Sequence, residues 1–582
     1  MARHHDPAPS PDDLLEKTYT IVQLALIKDI GDSCHRLRWP ARQLAAQAPN
    51  WRVINLSSNA EERYAWAEKA DLLVISQSRD MDLLPVIARR RARGLKTLAE
   101  YNDNFYDPPP SSNVADVWQS PVIHQCYERI MNACDGIIVT GPGLRQLFGG
   151  KTERPIHILE NHHPRPLPVF ETVWREPGKT FAIGWGGSSG HIADFLSIIP
   201  LLRDLARQRP NLQLHIMGDA PLAHFAHLDE SRLVFREWGT MDEYFDFLSS
   251  LNLGLAPLID TGFNRCRSDI KAIEMGSQGV LPLLPDRLPY QKVLAETGMT
   301  PYRCHRELGE KILFYMDNPG VLKRHARRLY DYIRHHRVGP RRRERLCLYS
   351  AMLPPEPLQT AWDLPPGYHE IVGTPARSTP TSRTLQQAGN LVDRHKSARA
   401  LDVLHEAVET NPQHADLALA EIRLLAMEGD PAWRTRLQRG RQHFPDDLRF
   451  HLLELRHTQA ARDSAPLWER LLARLRQETT SAQRFYAAEV TGLLLEQLRR
   501  EPELLEIAIT TLDLYPRAWA LKHEVAQYLE RRGDDAMALQ YFSELLAARK
   551  CHERNHEFLS HTTDAWLDTW LNTLTERLEA GT

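Results

Sequence analysis

The chain has 582 residues, of which 42% are hydrophobic and 25% charged, and its formal net charge is -3. A chain of this length is too long for one hydrophobic core, so we expect two to four domains of ordinary globular composition. The near-neutral charge gives no general attraction to nucleic acid, and no apolar run reaches the roughly 20 residues that span a bilayer.

The N-terminus and the cysteines indicate the compartment. Residues 1–17 lack the apolar stretch of a secretory signal, and we predict a disordered leader there. The seven cysteines are scattered and include no Cys-x-x-Cys pair, which favours reduced thiols over a disulfide framework. We therefore expect a cytoplasmic protein. The basic run from Arg334 to Arg345 suggests a peripheral contact with the inner face of the membrane as a further hypothesis.

Strands and helices alternate in two series. The first series, over residues 18–170, contains apolar runs such as TYTIVQLAL, DLLVISQ and GIIVTG, and the second, over 171–350, contains FAIGW, LQLHIMG and LGLAPL. Runs of this length that alternate with helices predict parallel sheets covered on both faces. The predicted fold class is α/β, with two Rossmann-like, doubly wound domains. A cleft between them would expose the carboxyl ends of the strands, where ligands bind in such folds.

The composition changes twice after the second series. Residues 351–384 are rich in Pro, Ser and Thr, and we predict a linker there. Residues 385–582 show only amphipathic helical patterns, and the helix-ending Pro412, Pro445 and Pro516 are spaced by about one and about two periods of 34 residues. We predict an all-α, TPR-like solenoid, whose extended surface would suit a protein acceptor or a protein partner.

A glycine-rich turn follows the first strand of the second series. The strand FAIGW runs into Gly186, Gly187, Ser188 and Ser189 before a helix that starts near His191. Glycines let the backbone approach a phosphate closely, and a helix N-terminus offers free N–H groups with a partial positive charge. Ser188 and His191 could add hydrogen-bond donors. An ordinary strand-to-helix turn explains the glycines equally well.

A second polar group lies on or just before a later helix. Arg267, Lys271 and Glu274 are spaced four and three residues apart, which places them on one helix face, and Asn264 and Ser268 lie close by in the chain. Arg and Lys suit phosphate oxygens, and a carboxylate one turn further on can accept hydrogen bonds from a ribose diol. An exposed, salt-bridged helix face is the alternative, but the apolar residues in the same helix favour a binding site.

Together these motifs resemble the glycosyltransferases of the GT-B fold, in particular glycosyltransferase family 4 of the bacterial surface-glycan type. The resemblance covers roughly residues 19–349 and is carried by IGWGGSSGHIAD, HIMGDAP and LGLAPLIDTGFNRCRSDIKAIEMGSQGVLPLL. It implies that the second domain binds a nucleotide sugar, with Arg267 and Lys271 at the diphosphate and Glu274 at the ribose. The catalytic candidates are Arg267, Lys271 and His191. The donor-binding candidates are Gly187, Ser188, Gly218, Asn264, Ser268 and Glu274.

The resemblance places the acceptor on the first domain. The segment DIGDSCHRLRWPARQL resembles the first glycine loop of such enzymes and contains Gly31, His35 and Arg36, and EYNDNFYDPPP contains Asp103. These four residues are the acceptor-side candidates. An exposed loop pair at His35 and Arg36, and a plain polar turn at Asp103, are equally compatible with the sequence.

The resemblance implies a retaining, hexosyltransferase-like enzyme that needs no metal or other cofactor and transfers a sugar to a glycan or protein acceptor. The chain departs from the family pattern at Cys266, where these enzymes typically carry a glutamate, and it lacks the usual cations after the second-domain glycine loop. These departures favour the alternative function, a non-catalytic scaffold that recruits partners through its helical repeats. A nucleotide-sugar epimerase or phosphorylase is a third hypothesis, but it leaves the repeats unexplained.

Overall fold

The structure, a computed structural model, describes residues 11–27, 31–109, 112, 114–118, 120–219, 228–458, 460–478 and 480–551. The chain forms two compact units, one of Met1–Trp118 with Cys126–Arg383 and the other of Gln119–Gln125 with Thr384–Thr582. Among the described residues, none of the helices has both the length and the hydropathy needed to cross a membrane.

The first unit contains two sheets. The strands of the first sheet are β1 (Thr20–Ala25), β2 (Arg52–Ser57), β3 (Leu72–Ser76), β4 (Lys96–Tyr101), β5 (Gly136–Val139), β6 (Ile156–Ile158) and β12 (Gly367–Ile371). Those of the second sheet are β7 (Phe181–Gly187), β8 (Leu212–Gly218), β9 (Leu233–Glu237), β10 (Leu253–Leu255) and β11 (Leu281–Leu283).

The strand order confirms the predicted α/β class. The first sheet runs β12-β2-β1-β3-β4-β5-β6, the second runs β11-β10-β7-β8-β9, and the neighbouring strands pair in parallel. The order reverses beside β1 in the first sheet and beside β7 in the second, as in doubly wound domains. Ligands of such domains bind outside the carboxyl ends of the strands at these reversal points.

Helices connect the strands of the first unit. They are α1 (Pro11–Glu16), α2 (Trp39–Gln47), α3 (Arg63–Lys69), α4 (Leu83–Ala92), α5 (Ala115–Trp118), α6 (Pro121–Ala133), α7 (Pro142–Gly149), α8 (Phe170–Val173), α9 (Ile192–Gln208), α10 (Met241–Ser249), α11 (Gly262–Arg265), α12 (Ile270–Ser277), α13 (Gln291–Thr297), α14 (His305–Asp317), α15 (Pro319–His336) and α16 (Glu344–Ser350). A π-helix, Ser33–Arg38, precedes α2. The helix α9 buries Phe195, Ile198 and Leu202, spaced three and four residues apart, against the second sheet.

Part of the predicted leader is ordered. Residues 1–10 lie outside the described residues, but Pro11–Glu16 forms α1, so the prediction of disorder over 1–17 is wrong there. The side chain of Leu14 is buried in the core of the first domain, and the indole Nε1 of Trp51 donates to its carbonyl oxygen at 3.0 Å. These contacts fix a segment whose polar composition suggested a free end.

The predicted linker is also wrong in its middle. Residues 367–371 form β12, which pairs with β2 from Gly367↔Arg52 to Ile371↔Leu56. Without β12, the outer edge of β2 would present unpaired N–H and C=O groups. The densest run of prolines ends just before the strand, at Pro366, and Pro375 and Pro380 follow the strand.

The helix α16 belongs to the first domain, although the sequence placed it at the end of the second. The hydroxyl group of Tyr349 donates to Gln23 Oε1 at 3.0 Å, and Arg345 Nη1 lies 3.2 Å from Glu100 Oε2. The chain therefore crosses between the two domains twice, once after β6 and once before α16. Both crossings lie beside the cleft.

The second unit is helical. Its helices are α17 (Pro380–Asp393), α18 (Ser397–Thr410), α19 (Ala415–Met427), α20 (Ala432–His443), α21 (Arg449–Arg456), α22 (Ala461–Leu475), α23 (Thr480–Arg500), α24 (Leu505–Leu514), α25 (Trp519–Arg532) and α26 (Asp535–Cys551). Pro412, Pro445 and Pro516 each lie two residues beyond the end of a helix, as predicted. Consecutive helices such as α18 and α19, or α25 and α26, pack on each other. The TPR-like repeat itself stays a prediction.

Candidate functional site

The predicted site residues meet where the carboxyl ends of the two sheets face each other. We call this place the cleft site and define it by Arg267, Lys271 and Glu274 from the second domain and His35 and Asp103 from the first. Two polar contacts cross the cleft, one an ion pair and the other a histidine–carboxylate hydrogen bond. Arg267 Nη1 lies 2.9 Å from Asp103 Oδ1, and His35 Nε2 lies 3.0 Å from Glu274 Oε1. The cleft site lies beside the strand-order reversals of both sheets.

The glycines after FAIGW serve packing rather than a phosphate loop. Gly186 and Gly187 belong to β7, where a side chain on Gly186 would lie 2.7 Å from the Tyr244 ring and one on Gly187 2.6 Å from the Trp185 ring. The prediction of a loop at these two positions is wrong, because they continue a fully buried strand. The turn begins at Ser188, which is exposed.

Asp194 organises the turn that follows β7. Its Oδ1 accepts hydrogen bonds from Asn264 Nδ2 at 2.7 Å and from the Ile259 backbone N–H at 2.9 Å, and its Oδ2 lies 3.1 Å from His191 Nδ1. Asn264 thereby holds the loop after β10 against α9. It is 6% exposed and bound to Asp194, and its role as a donor ligand stays a prediction.

His191 is neutral near pH 7, which changes its predicted role. Burial, and after it the positive charge of Arg267, lower its pKa to about 4, although Asp194 acts in the opposite direction. A neutral imidazole whose Nδ1–H donates to Asp194 leaves Nε2 as an acceptor. His191 therefore suits a hydroxyl group better than it suits the charge of a phosphate.

Lys271 and Glu274 lie one turn apart on α12, as predicted, and both contact a residue that the sequence analysis missed. The Lys271 ammonium donates to the Tyr244 hydroxyl at 2.7 Å and to Glu274 Oε2 at 3.2 Å, and the Tyr244 hydroxyl lies 3.2 Å from the same carboxylate oxygen. A capping box between Thr240 and Glu243 starts α10 and places Tyr244 in its first turn. That capping box was a readable signal for the helix, but not for the contact.

Arg267 does not share the helix face of Lys271. The helix α12 begins at Ile270, so Arg267 lies in the turn before it and reaches across the cleft to Asp103. Its guanidinium lies 4.4 Å from the centre of the Phe263 ring. A side chain on Gly190 would lie 3.1 Å from Arg267 Nη2, so that glycine leaves room for the guanidinium. The sequence spacing predicted a face that the helix start does not provide.

The acceptor-side candidates lie in different surroundings. His35 and Arg36 are both buried, so the alternative of an exposed loop pair is wrong. Arg36 lies 2.6 Å from Glu100 and donates to Asn161 Oδ1 at 2.8 Å, which makes it a structural residue of the first domain. A side chain on Gly31 would lie 3.5 Å from Met241 Sδ, where the two domains approach each other.

The remaining donor candidates contact the protein differently. Ser268 Oγ accepts a hydrogen bond from Asn161 Nδ2 at 3.0 Å, which joins the turn before α12 to the crossing segment after β6. Gly218 ends β8 and lies opposite Gly187 in the sheet. The loop after β8 includes residues 220–227, which lie outside the described residues.

Asp32 is a further polar residue of the cleft that sequence reasoning missed. Asp32 is exposed, yet the atoms packed around its carboxyl group and the nearby Asp103 raise its pKa to about 7. Asn102 donates to it through Nδ2. A carboxyl group with a raised pKa can accept a hydrogen bond from an acceptor hydroxyl or, when protonated, donate one to it.

Glu274 makes the stability of the first unit pH-dependent. Burial by itself would raise its pKa, but Lys271 and His35 outweigh burial and hold it at about 2 instead of 4.5. This depressed value stabilises the folded state above about pH 5, and the contribution is lost as the pH falls toward 2.

We therefore expect Glu274→Gln to be less stable than the wild type by about 3 kcal/mol at pH 7. The difference should shrink as the pH falls from about 5 toward 2, because Glu274 takes up a proton near pH 4.5 in the unfolded wild type and only near pH 2 in the folded one. Urea titrations of both proteins across this range measure the difference. A difference that stays constant with pH would contradict the assigned ion pairs.

Metal ligands are a separate question. In the part of the chain that the structure describes, no group of three or more His, Cys, Asp or Glu side chains could hold a metal ion. Asp80, part of the Asp80-Met81-Asp82 sequence, binds Arg63 and Tyr64 at 3.0 and 2.8 Å. Metal-independence stays a prediction.

Comparison with known proteins gives structural neighbours only. No protein-family model matches the sequence, and no curated protein matches it at a significant level. A mutant of the O-GlcNAc transferase from Thermobaculum terrenum is 13% identical, with a TM-score of 0.38 over 59% of this chain and 69% of that chain.

Two further solved structures are similar at the same low level. TarM is 12% identical, with a TM-score of 0.37 over 50% of this chain, which spans only 57% of TarM. WaaG, a glycosyltransferase involved in lipopolysaccharide biosynthesis, is 13% identical, with a TM-score of 0.38 over 54% of this chain and 95% of that chain. Strand order and register, rather than these low scores, define the fold of this chain.

Proposed function

We propose that the protein is a glycosyltransferase that moves a sugar from a nucleotide-activated donor to a glycan or protein acceptor. One observation carries the proposal. Arg267 and Lys271 converge beside the turn that opens α9, at the strand-order reversal of the second sheet, and polar residues of the first domain face them. This is the place and the charge that a nucleoside diphosphate requires.

Donor binding exchanges partners at both cations. In the unliganded protein Arg267 pairs with Asp103, and Lys271 pairs with Glu274. A diphosphate carries more charge and more acceptor oxygens than either carboxylate, and Arg can bind it through two parallel hydrogen bonds. Its entry would release Asp103, which then joins Asp32 in facing the acceptor.

Transfer breaks the bond between the sugar C1 and the diphosphate oxygen and forms one between C1 and the acceptor oxygen. The acceptor proton passes to the leaving phosphate, whose growing negative charge Arg267 and Lys271 stabilise more strongly in the transition state than in the ground state. The reaction then needs neither a protein nucleophile nor a metal. This course retains the anomeric configuration.

Glu274 is the proposed ribose ligand, although its oxygens are engaged. Oε1 faces His35 across the cleft and Oε2 faces Lys271 and Tyr244. When Lys271 turns to the diphosphate, Oε2 keeps its hydrogen bond from Tyr244 and gains room to accept a second one from a ribose hydroxyl. His35 keeps Oε1 in place, which links donor binding to the first domain.

A non-catalytic scaffold is the second candidate function, and a specific observation favours it. Both cations of the cleft site already have carboxylate partners, so the arrangement is electrically satisfied without a ligand. A scaffold would keep these pairs permanently and would use the helical unit to bind its partners.

Nucleotide binding and turnover distinguish the two functions. We expect one nucleoside diphosphate, or its sugar, to raise the unfolding temperature of the full chain, because a ligand that binds only the folded state stabilises it. The matching nucleotide sugar should slowly release free nucleoside diphosphate through hydrolysis. A panel of UDP-, GDP-, ADP- and TDP-sugars, with and without EDTA, covers the donors. A chain that none of them stabilises, or that never releases diphosphate, would be the scaffold.

A further inference from the structure

A cavity of about 340 Å³ lies behind the cleft site, between the two crossings of the chain. We call it the hinge cavity. Its walls come from α2, from the end of β6 with the crossing segment that follows, and from residues 339–345, while Lys292 of α13 adds a wall from the second domain. The volume falls in the range of pockets that hold small molecules.

The hinge cavity is cationic. Its charged lining consists of four cations, Arg36, Lys292, Arg342 and Arg345, and two carboxylates, Glu160 and Glu344. Glu160 pairs with Lys292 at 2.8 Å, and Glu344 pairs with Arg342. Glu100 holds the remaining two arginines from behind. The charges of the lining and of Glu100 sum to an excess of one cation.

Several polar atoms of the lining lack a partner. His35 is 8% exposed, and its Nδ1 is buried with no hydrogen-bond partner among the described residues. His162 Nε2 and Arg342 Nε are likewise buried atoms with no hydrogen-bond partner among the described residues. Burial, and after it the charges of Arg337 and Arg342, lower the pKa of His162 to about 3, so its imidazole is neutral. Buried polar groups without partners are rare, and here three of them line one cavity.

We propose that the hinge cavity binds a small phosphate-bearing ligand of about hexose phosphate size. Guanidinium and ammonium groups with free N–H bonds match phosphate oxygens, and the neutral imidazole of His162 suits a hydroxyl group. Because the lining includes both domains, the ligand fixes their relative position when it binds. His35 connects the hinge cavity to the cleft site, because its ring lines the hinge cavity and its Nε2 contacts Glu274.

Binding of a sugar phosphate in the hinge cavity does not depend on the proposed function. The link from the hinge cavity to the cleft site through His35 does rest on the proposed function. Titration calorimetry of the full chain with glucose 6-phosphate tests the claim, with glucose and inorganic phosphate as the other two titrants. If UDP binds the protein, all three titrations are run at saturating UDP, so that the cleft site is blocked. We expect glucose 6-phosphate to bind and glucose not to bind. Inorganic phosphate that binds as tightly as the sugar phosphate supports an anion site without a sugar subsite.

Two neighbouring arginines give a matched pair of variants. Arg342→Gln removes a lining cation and should weaken glucose 6-phosphate binding by about tenfold. Arg343→Gln changes the next residue, which is exposed and does not line the cavity, and should leave binding unchanged. Thermal unfolding of both variants shows that they fold.

Three results would overturn the proposal. The first is a wild type that binds none of the phosphate titrants. The second is glucose binding equal to that of its phosphate. The third is binding that survives Arg342→Gln but is lost in Lys271→Ala, which would place the phosphate in the cleft site. Absence of UDP binding, by contrast, would contradict the proposed function and leave the titration of the hinge cavity valid.

Discussion

Replacing Lys271 by alanine will lower the release of nucleoside diphosphate from the matching nucleotide sugar by about 100- to 1,000-fold. In the unliganded protein the ammonium binds Glu274 and Tyr244, and on donor binding it turns to the diphosphate, where the leaving group gains charge. A charge that is already oriented needs no rearrangement at the moment of reaction, so its removal acts mainly on the rate. Steady-state assays of released diphosphate measure the effect.

Lys179→Ala is the matched control for this variant. Lys179 lies in the same domain, is exposed and lies two residues before the start of β7. Its rate should equal that of the wild type. Equal rates for Lys271→Ala and the wild type would remove Lys271 from the mechanism. A similar loss in both variants would point to a general effect of charge.

Replacing Arg337 by alanine will lower the free energy of unfolding by about 3–5 kcal/mol. Arg337 is 1% exposed and donates to both oxygens of Asp269, the residue before α12, and to the Asn161 carbonyl oxygen at 2.9 Å. The substitution leaves the Asp269 carboxylate buried without its cation. It also loosens the start of the helix that carries Lys271 and Glu274, so diphosphate affinity should fall as well.

Arg327→Ala provides the comparison on the same helix. Arg327 of α15 pairs with Glu171, but the two side chains are 46% and 59% exposed. An exposed ion pair contributes only about 0–1 kcal/mol. Chemical denaturation of both variants should therefore separate them clearly. Similar small losses in the two proteins would show that the Arg337–Asp269 pair does not hold α12.

Regular patterns made the two α/β domains predictable. The strands of both sheets are short apolar runs between helices, and periodicity reports local structure directly. The same holds for Lys271 and Glu274, because a spacing of three residues within one helix fixes their proximity. The helix-ending prolines of the second unit are another local signal, since proline cannot continue a helix.

Contacts between distant residues were not predictable from one chain. His35 and Glu274 are 239 positions apart, and no local pattern reports that they meet. The strand β12 follows a Pro-rich stretch, so local composition opposed the pairing that the open edge of β2 favours. Arg267 was assigned to a helix face by spacing alone, although the helix starts three residues later.

The glycines of β7 show a different limit. A glycine that precedes a helix has the same appearance in sequence whether it approaches a phosphate or a neighbouring ring. Gly187 leaves room for Trp185, which only the packing of the sheet reveals. The charge pattern therefore located the cleft site better than the glycine pattern did.

A crystal structure of the full chain with bound UDP tests the account most directly. We predict the diphosphate between the turn at Ser188–His191 and the side chains of Arg267 and Lys271, with Asp103 released from Arg267 and the ribose on Glu274. A diphosphate bound elsewhere would contradict this account. So would a cleft that stays empty at saturating UDP, with Arg267 still on Asp103 and Lys271 still on Glu274.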